Sequence, residues 1–353
     1  MVHRNGRNLD LTLSPLLGNV ASMLSTRIAV MLAAVAMAMV GSSVAAASLL
    51  TDYPIMGGQA GRYALASLVL FLGARLVRTP LPRPALGDFV WLAAVAVVGL
   101  AAFNVLLIAA TARTDPSFVG AIVGTAPIAL VVLGALQARR RPSPTVIGAA
   151  LLVTVGAALV QQAGLTGDML GAVLALGAML GEVGFSLLAV PVLPRIGAIA
   201  VSAHATWLAA LILTVGAVAI DGSRAFPMPT AIEFAALLYL ALVVTAFGFV
   251  LWYIAVDRLG ADRAGLFAGL VPVSALATSA LIGADQLTVM KFVGVCIVGA
   301  GVVIGIGAPR GPTPINARRL VNFRQSKRAM NEGVAEADLR NNERTGLRAL
   351  AGQ

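Results

Sequence analysis

The sequence predicts an all-α integral membrane protein whose ten transmembrane helices form two inverted five-helix repeats. Three observations carry that expectation. Of 353 residues, 59% are hydrophobic and 11% are charged, against roughly 25% charged in a soluble domain. The apolar residues gather into ten runs, each bounded by Gly, Pro or charge. A pattern marked by Arg, Gly and Pro in the first half returns in the second at an offset of 145 residues.

The runs cover 28–50, 55–76, 89–111, 117–137, 145–162, 169–190, 199–220, 232–255, 264–282 and 289–307. At a rise of about 1.5 Å per residue most of them match a hydrocarbon core about 30 Å thick. The period-two alternation of a membrane β-strand is absent. The expected organisation is a cytoplasmic N-terminal tail (1–26), a first repeat (27–163), a second repeat (164–308) and a basic cytoplasmic tail (309–353). The last is polar and expected to lie against anionic lipid. Polar breaks precede Ile28, and the run after it is too long for a signal-peptide core, so no cleaved signal is expected.

The net charge of +10 is unevenly placed. If the N-terminus is cytoplasmic, one side of the membrane receives Arg4, Arg7, Arg27, Arg78, Arg83, Arg139, Arg140, Arg141, Arg195, Arg258, Arg263 and the tail. The other side receives Arg113 and Arg224 in its loops, with Lys291 at a span edge. Basic residues accumulate on the cytoplasmic side, so both termini are expected there, in a multi-pass protein of the cytoplasmic (inner) membrane. Arginines that flank apolar runs are accounted for by this rule, and nucleic acid is excluded as a partner.

One cysteine (Cys296) and two histidines (His3, His204) leave neither a disulfide within the chain nor a Cys/His metal cluster. The phosphate-binding pattern GxxxxGK[ST] does not occur, which argues against direct ATP coupling. Neither a metal nor an organic cofactor is expected. An intramembrane enzyme would need a second acid or a histidine beside Glu182, and the sequence supplies none.

The repeat is visible in "NVLLIAATARTDPSFVGAIVGTAPIAL" from Asn104 and "FVLWYIAVDRLGADRAGLFAGLVPVSAL" from Phe249. Arg113 meets Arg258, Gly120 meets Gly265, Gly124 meets Gly269 and Pro127 meets Pro272. Five spans per copy is an odd number, which inverts the second copy across the membrane. Secondary transporters are built this way, with the site near the midplane between repeats. Pro127 and Pro272 fall inside spans four and nine. They read either as hinges beside a cavity or as packing kinks.

Glu182 sits in "GAMLGEVGFSLL", about 18 Å along its helix from the outer end and so near the midplane. Aligning spans one and six places Ser42 opposite Glu182; aligning spans two and seven places Arg62 opposite His204. An ionisable group at a helix centre costs about 2.5–3.5 kcal/mol on insertion scales, so it faces a cavity or a partner. Glu182, Ser42, Arg62 and His204 are therefore the candidate substrate or coupling residues. The alternatives are a structural Glu182–Arg62 pair, a protonated Glu182 bonded to a backbone carbonyl, a snorkelling Arg62, and a His204 that bonds the backbone. Trp91, Trp252, Tyr53 and Tyr253 read as interfacial or packing residues.

Several stretches resemble a known family. "AGRYALASLVLFLG" from Ala60 resembles an arginine-bearing second span, with Arg62 at the arginine. "GTAPIAL" and "GLVPVSAL" resemble a proline motif of spans four and nine. "GADQLTVMKFVGVCIVGAGVVI" resembles the segment after it, with Asp285 where an acid is usual, then Gly294 and Gly301. These are patterns of the EamA-type family of the drug/metabolite transporter superfamily, and the similarity covers about residues 27–307. The chain departs from the pattern at Arg140, where the first repeat would carry the acid, and at "MVGSSV" and "MLGEVG", which lack the usual tryptophan. The resemblance implies a ten-helix bundle around a central cavity. It also implies transport, often export, of amino acids or other small metabolites. A lipid-linked carrier or flippase of the same architecture is the alternative. The implied partners are a small-molecule substrate, membrane lipids and, as the one assembly considered, a second copy of the chain in a homodimer.

Overall fold

The computed structural model describes the backbone of residues 6–162, 168–283 and 285–309, with side chains from residue 25 onward. Among the described residues it is helical, without strands, and ten helices are long and apolar enough to cross a membrane. They are α1 (Ser25–Leu50), α2 (Ile55–Leu76), α3 (Leu86–Thr111), α4 (Pro116–Gln137), α5 (Pro144–Gln161), α6 (Met169–Leu187), α7 (Leu193–Arg224), α8 (Ala231–Leu259), α9 (Ala261–Leu281) and α10 (Val289–Gly307). The helical backbone of α1 reaches back to Gly6. All ten lie in one compact unit; a second unit contributes Ala138–Arg141, a turn with Arg139 left-handed at φ 53°, and Pro309. The expected tails fall largely outside the described residues, at 1–5 and 310–353.

The largest departure from the apolar runs is around α7, which starts six residues earlier than the run at 199. Leu193–Ile196 forms a separate turn because Gly197 breaks the helix at φ 80°. The apolar pattern marks only the continuous part beyond it.

Helix pairing shows the inverted repeat directly. α1 packs on α8 and α9, and α6 packs on α3 and α4. α2 also meets α8, as α7 meets α3. The pairs α2–α7, α4–α9 and α5–α10 join each helix to its own counterpart. Exchanging the first five helices for the last five turns this set of pairs into itself, which is a pseudo-two-fold relation.

The α5–α10 seam carries that relation down to single atoms. A Cβ built on Gly156 would lie 2.8 Å from the Gly294 carbonyl oxygen and 2.8 Å from Val298 N. One built on Gly301 would lie 2.9 Å from the Ala149 carbonyl oxygen and 3.0 Å from Val153 N. The offset of 145 converts one set of contacts into the other. Backbones come this close only where side chains are absent, and lipid-embedded helices gain packing energy this way.

Two irregularities also repeat. Val95–Ala102 in α3 and Leu240–Phe247 in α8 are π-helical, again 145 residues apart. α4 stops after Val123 and resumes at Ala126; α9 tightens to a 3₁₀ turn over Gly265–Gly269 and resumes at Leu270. Pro127 and Pro272 therefore do not kink continuous helices. Each sits in the first turn of a second half-helix, where a missing N–H costs no hydrogen bond.

Gly294→Val should force α5 and α10 apart, because its Cβ would meet the Gly156 carbonyl oxygen at 2.7 Å. The expected outcome is a drop of several degrees in the Tm of detergent-purified protein, or loss of folded protein. Gly299→Ala, with open space at its Cβ, should leave Tm unchanged.

Candidate functional site

The glycines of "GAMLGEVGFSLL" explain where Glu182 points. A Cβ on Gly181 would lie 3.0 Å from the Val98 carbonyl oxygen, one on Gly177 3.0 Å from Leu106, and one on Gly184 2.9 Å from Val98. On the other side, a Cβ on Gly99 would meet the Phe185 backbone at 2.6 Å. This glycine face docks α6 on the π-segment of α3. Glu182, one step round the helix, shares its face with Phe185 and Ser186 at i+3 and i+4. It is half-buried, and among the described residues it makes no hydrogen bond or ion pair.

Beside it stands an aromatic cluster. The Phe185 ring lies 4.6 Å from Phe249 and 4.9 Å from Tyr253, and Tyr63 of α2 lies 6.5 Å from Phe249, between ring centroids. The Tyr253 hydroxyl donates to the Phe185 carbonyl at 3.1 Å, and Trp252 Nε1 donates to Ser186 Oγ at 3.1 Å. Asn104 Nδ2 donates to the Tyr63 hydroxyl at 3.0 Å and to the Leu100 carbonyl, within the π-segment, at 2.7 Å. Tyr63, Phe249 and Tyr253 are buried, and Phe185, one turn from Glu182, is the partly exposed ring of the cluster. A carboxyl with free acceptor capacity is suited to an amine or other organic cation.

The other sequence candidates lie elsewhere. Arg62 does not pair with Glu182. Its Nε donates to Thr245 Oγ1 at 2.7 Å, a second nitrogen donates to Gln59 at 3.3 Å, and its guanidinium stands 5.4 Å from the Tyr63 ring centroid. Thr245 in turn donates to the Leu240 carbonyl at 2.9 Å, so Arg62 anchors α2 to the π-segment of α8. Ser42 bonds the Met39 carbonyl and the Tyr239 hydroxyl, both at 2.7 Å. His204 Nδ1 accepts from Trp207 Nε1 at 3.1 Å, and its ring meets Phe71 edge-on at 5.4 Å.

The site residues that sequence reasoning missed are Tyr63, Asn104, Phe185, Thr245 and Phe249. Asn104 had a signal, as an amide inside an apolar span. Thr245 had none, because a π-segment leaves no periodic mark.

A family model for EamA-like transporters matches residues 27–161 and 169–306. The chain belongs to the EamA-like transporter family. A relative from Bacillus subtilis (strain 168), the uncharacterized transporter YetK, is 27% identical over 286 residues, covering 79% of this chain and 87% of its own. A solved crystal structure of a protein superposes with a TM-score of 0.69 at 17% identity, over 78% of this chain and 96% of that one. That likeness is one of fold. Asp285, the acid that the resemblance singled out, lies in the α9–α10 loop. It accepts from Lys291 Nζ at 2.5 Å and from Gln286 N at 2.7 Å. The Lys291 hydrogen bond holds its carboxyl below the usual carboxylate range.

A depressed carboxyl pKa contributes stability that is present above the unfolded value and lost as pH falls through the folded one. Asp285→Asn should therefore lower Tm slightly at pH 7. The difference from wild type should fade as pH falls through the depressed Asp285 carboxyl's own value, below the usual carboxylate range, and it should shrink in high salt because Asp285 is substantially exposed. Thermal unfolding in detergent across that pH range measures it.

Proposed function

We propose that this EamA-like chain is a secondary transporter of the cytoplasmic membrane, with both termini cytoplasmic. It moves a small amine-bearing metabolite, an amino acid or related compound, outward by alternating access. Family membership and the YetK likeness support transport. The observation that carries the substrate reading is Glu182: a half-buried carboxyl inside α6, five residues before its end at Leu187, without a hydrogen bond or ion pair among the described residues, next to Phe185 and its ring partners. The cost of placing a carboxyl there is offset when a proton or a substrate ammonium occupies it. In this mechanism Glu182 holds the amine or a proton in turn, and the partly exposed Phe185 ring supplies a face for the cation or the apolar part of the substrate. Arg62, tied to Thr245 and Gln59, fixes α2 against α8 and lends positive potential for a substrate carboxylate.

Glu182→Gln keeps size and hydrogen bonding but removes the charge change. After a resistance and uptake screen of amino acids and toxic analogues identifies a substrate, the variant should reach the membrane with wild-type Tm and lose at least tenfold in gradient-driven transport. Substrate exchange should survive. Full gradient-driven activity with wild-type pH dependence in folded Glu182→Gln would reject the role.

The orientation is checked with reporter fusions. A reporter after Gly307 should read cytoplasmic and one between residues 51 and 57 should read external. An external signal after Gly307 would reverse the assignment.

A further inference from the structure

The inverted repeat is symmetric at α5–α10 and unequal at α4–α9. The second half of α4 (Ala126–Gln137) packs against the first half of α9 (Ala261–Gly269). There, Ala261, Asp262, Arg263, Ala264, Gly265, Leu266, Phe267, Ala268 and Gly269 are all buried. Their counterparts run from Pro116 to Gly124, where only Val119 is buried. The other two halves behave the same way. Six residues of Ala126–Gln137 are buried, but only Leu276 of Leu270–Leu281.

The contacts that close one end have no counterpart at the other. A Cβ on Gly265 would lie 2.5 Å from Leu130 Cβ, and one on Gly134 would lie 2.9 Å from Asp262 N. Symmetry maps these pairs onto Gly120 with Ala275 and onto Ser117 with Ser279. Instead, Gly120 lies against Gln161 of α5, and Ala275 lies against Gly41 of α1. The polar ties differ between the two ends: Ser42 to Tyr239 and Ser274 to the Ala38 carbonyl join α1 to α8 and α9 at the open end. Trp252 to Ser186, Tyr253 to the Phe185 carbonyl and Gln137 to the Leu187 carbonyl join helices at the closed end. At the offset of 145 the counterparts of Trp252 and Tyr253 are Leu107 and Ile108, which carry no hydrogen-bonding side chain.

We propose that this chain rests closed at the end bearing the Arg78 and Arg195 loops, with α4 and α9 as the gate and Trp252, Tyr253 and Ser186 as its latch. We infer that the alternate state brings Ser117 of α4 against Ser279 of α9 at the opposite end. In that state the seam of α5 and α10 keeps its contacts while the broken helices exchange theirs. Two discrete packings of the same elements give a two-state gate rather than a continuous bend. The buried α4–α9 contact exists at one end only, so with its latch it biases the resting population toward closure there. The inference rests on the alternating access of the proposed function. Neither Glu182 nor the direction of transport enters it.

The test needs no substrate. Ser117→Cys with Ser279→Cys is made in a Cys296→Ser background and reconstituted in lipid vesicles. Cross-linking under mild oxidation is read on a gel, with Tm checked in detergent. The pair should cross-link poorly at rest. Gly265→Val, which sets a branched side chain against Leu130, should raise the ratio of cross-linked to free protein. Should that variant fail to fold, Ser186→Ala with Tyr253→Phe removes two latch hydrogen bonds and should raise the ratio roughly five- to tenfold. Equal cross-linking in the parent and in a folded gate or latch variant would overturn the proposal, whether the pair reacts fully or not at all. Because no transported compound is involved, a failed substrate assignment would leave this result standing, and a failed gate would leave the Glu182 result standing.

Discussion

The backbone contact between α5 and α10 is the constraint on which the other helices depend. Lipid tails are as apolar as leucine, so helices in a bilayer gain little by hiding apolar side chains from their solvent. They gain by fitting closely. Gly156 and Gly301 put backbone against backbone on both sides of the pseudo-two-fold, with Val153 and Val298 filling the space between. The two repeats are fixed to each other along this line. Gly269, close to both Val153 and Val298, places the break of α9 directly against the seam, so the half-helices on either side of the break are positioned from there.

A second constraint is that hydrocarbon offers backbone groups no hydrogen bonds. Each π-segment and each helix break releases carbonyls that must find donors. Asn104 supplies one for Leu100, and Thr245 supplies one for Leu240. Around the α4 break Thr125 and Gln161 add a second donor to the carbonyls of Ile122 and Gly120, which already accept from backbone N–H groups. The polar residues of this bundle thus divide into two kinds. One kind bonds helix backbone, at the irregular segments among other places. Arg62, bonded to Thr245, extends the first kind by one step. Glu182 belongs to the second kind, because no freed backbone group uses it.

That division explains what the sequence could and could not show. Span number, span positions and the inverted repeat were legible because they rest on hydropathy, on Gly and Pro, and on one repeated register around Arg113 and Arg258. Helix breaks were half legible: Pro127 and Pro272 marked their places but not their form, since a proline looks the same inside a kinked helix and in the first turn of a new one. Partnerships were not legible. Arg62 and Glu182 carry opposite charge at similar depth, which made a pair reasonable. The deciding fact was the position of Thr245, set by a π-segment that has no sequence signature. The aromatic cluster was hidden for a similar reason, because Phe185 and Phe249 look like ordinary apolar residues until α6 and α8 are brought together.

The remaining step concerns why the two repeats have drifted apart where they have. Strict symmetry would give both ends of the bundle the same closing energy and would populate both states equally. The asymmetry of the α4–α9 contacts breaks that balance. Trp252 and Tyr253 have Leu107 and Ile108 in the symmetry-related places. At the seam Gly156 and Gly301 are equivalent, as are Val153 and Val298, while Ala149 stands where the second repeat has Gly294. The closest backbone contacts are thus alike in the two repeats, and larger differences lie where they change the relative energy of two packings. An energy difference of about 1.4 kcal/mol already shifts a two-state ratio tenfold, so two or three hydrogen bonds at one end are enough to set a resting state. They are also weak enough for a bound substrate or a proton on Glu182 to overcome.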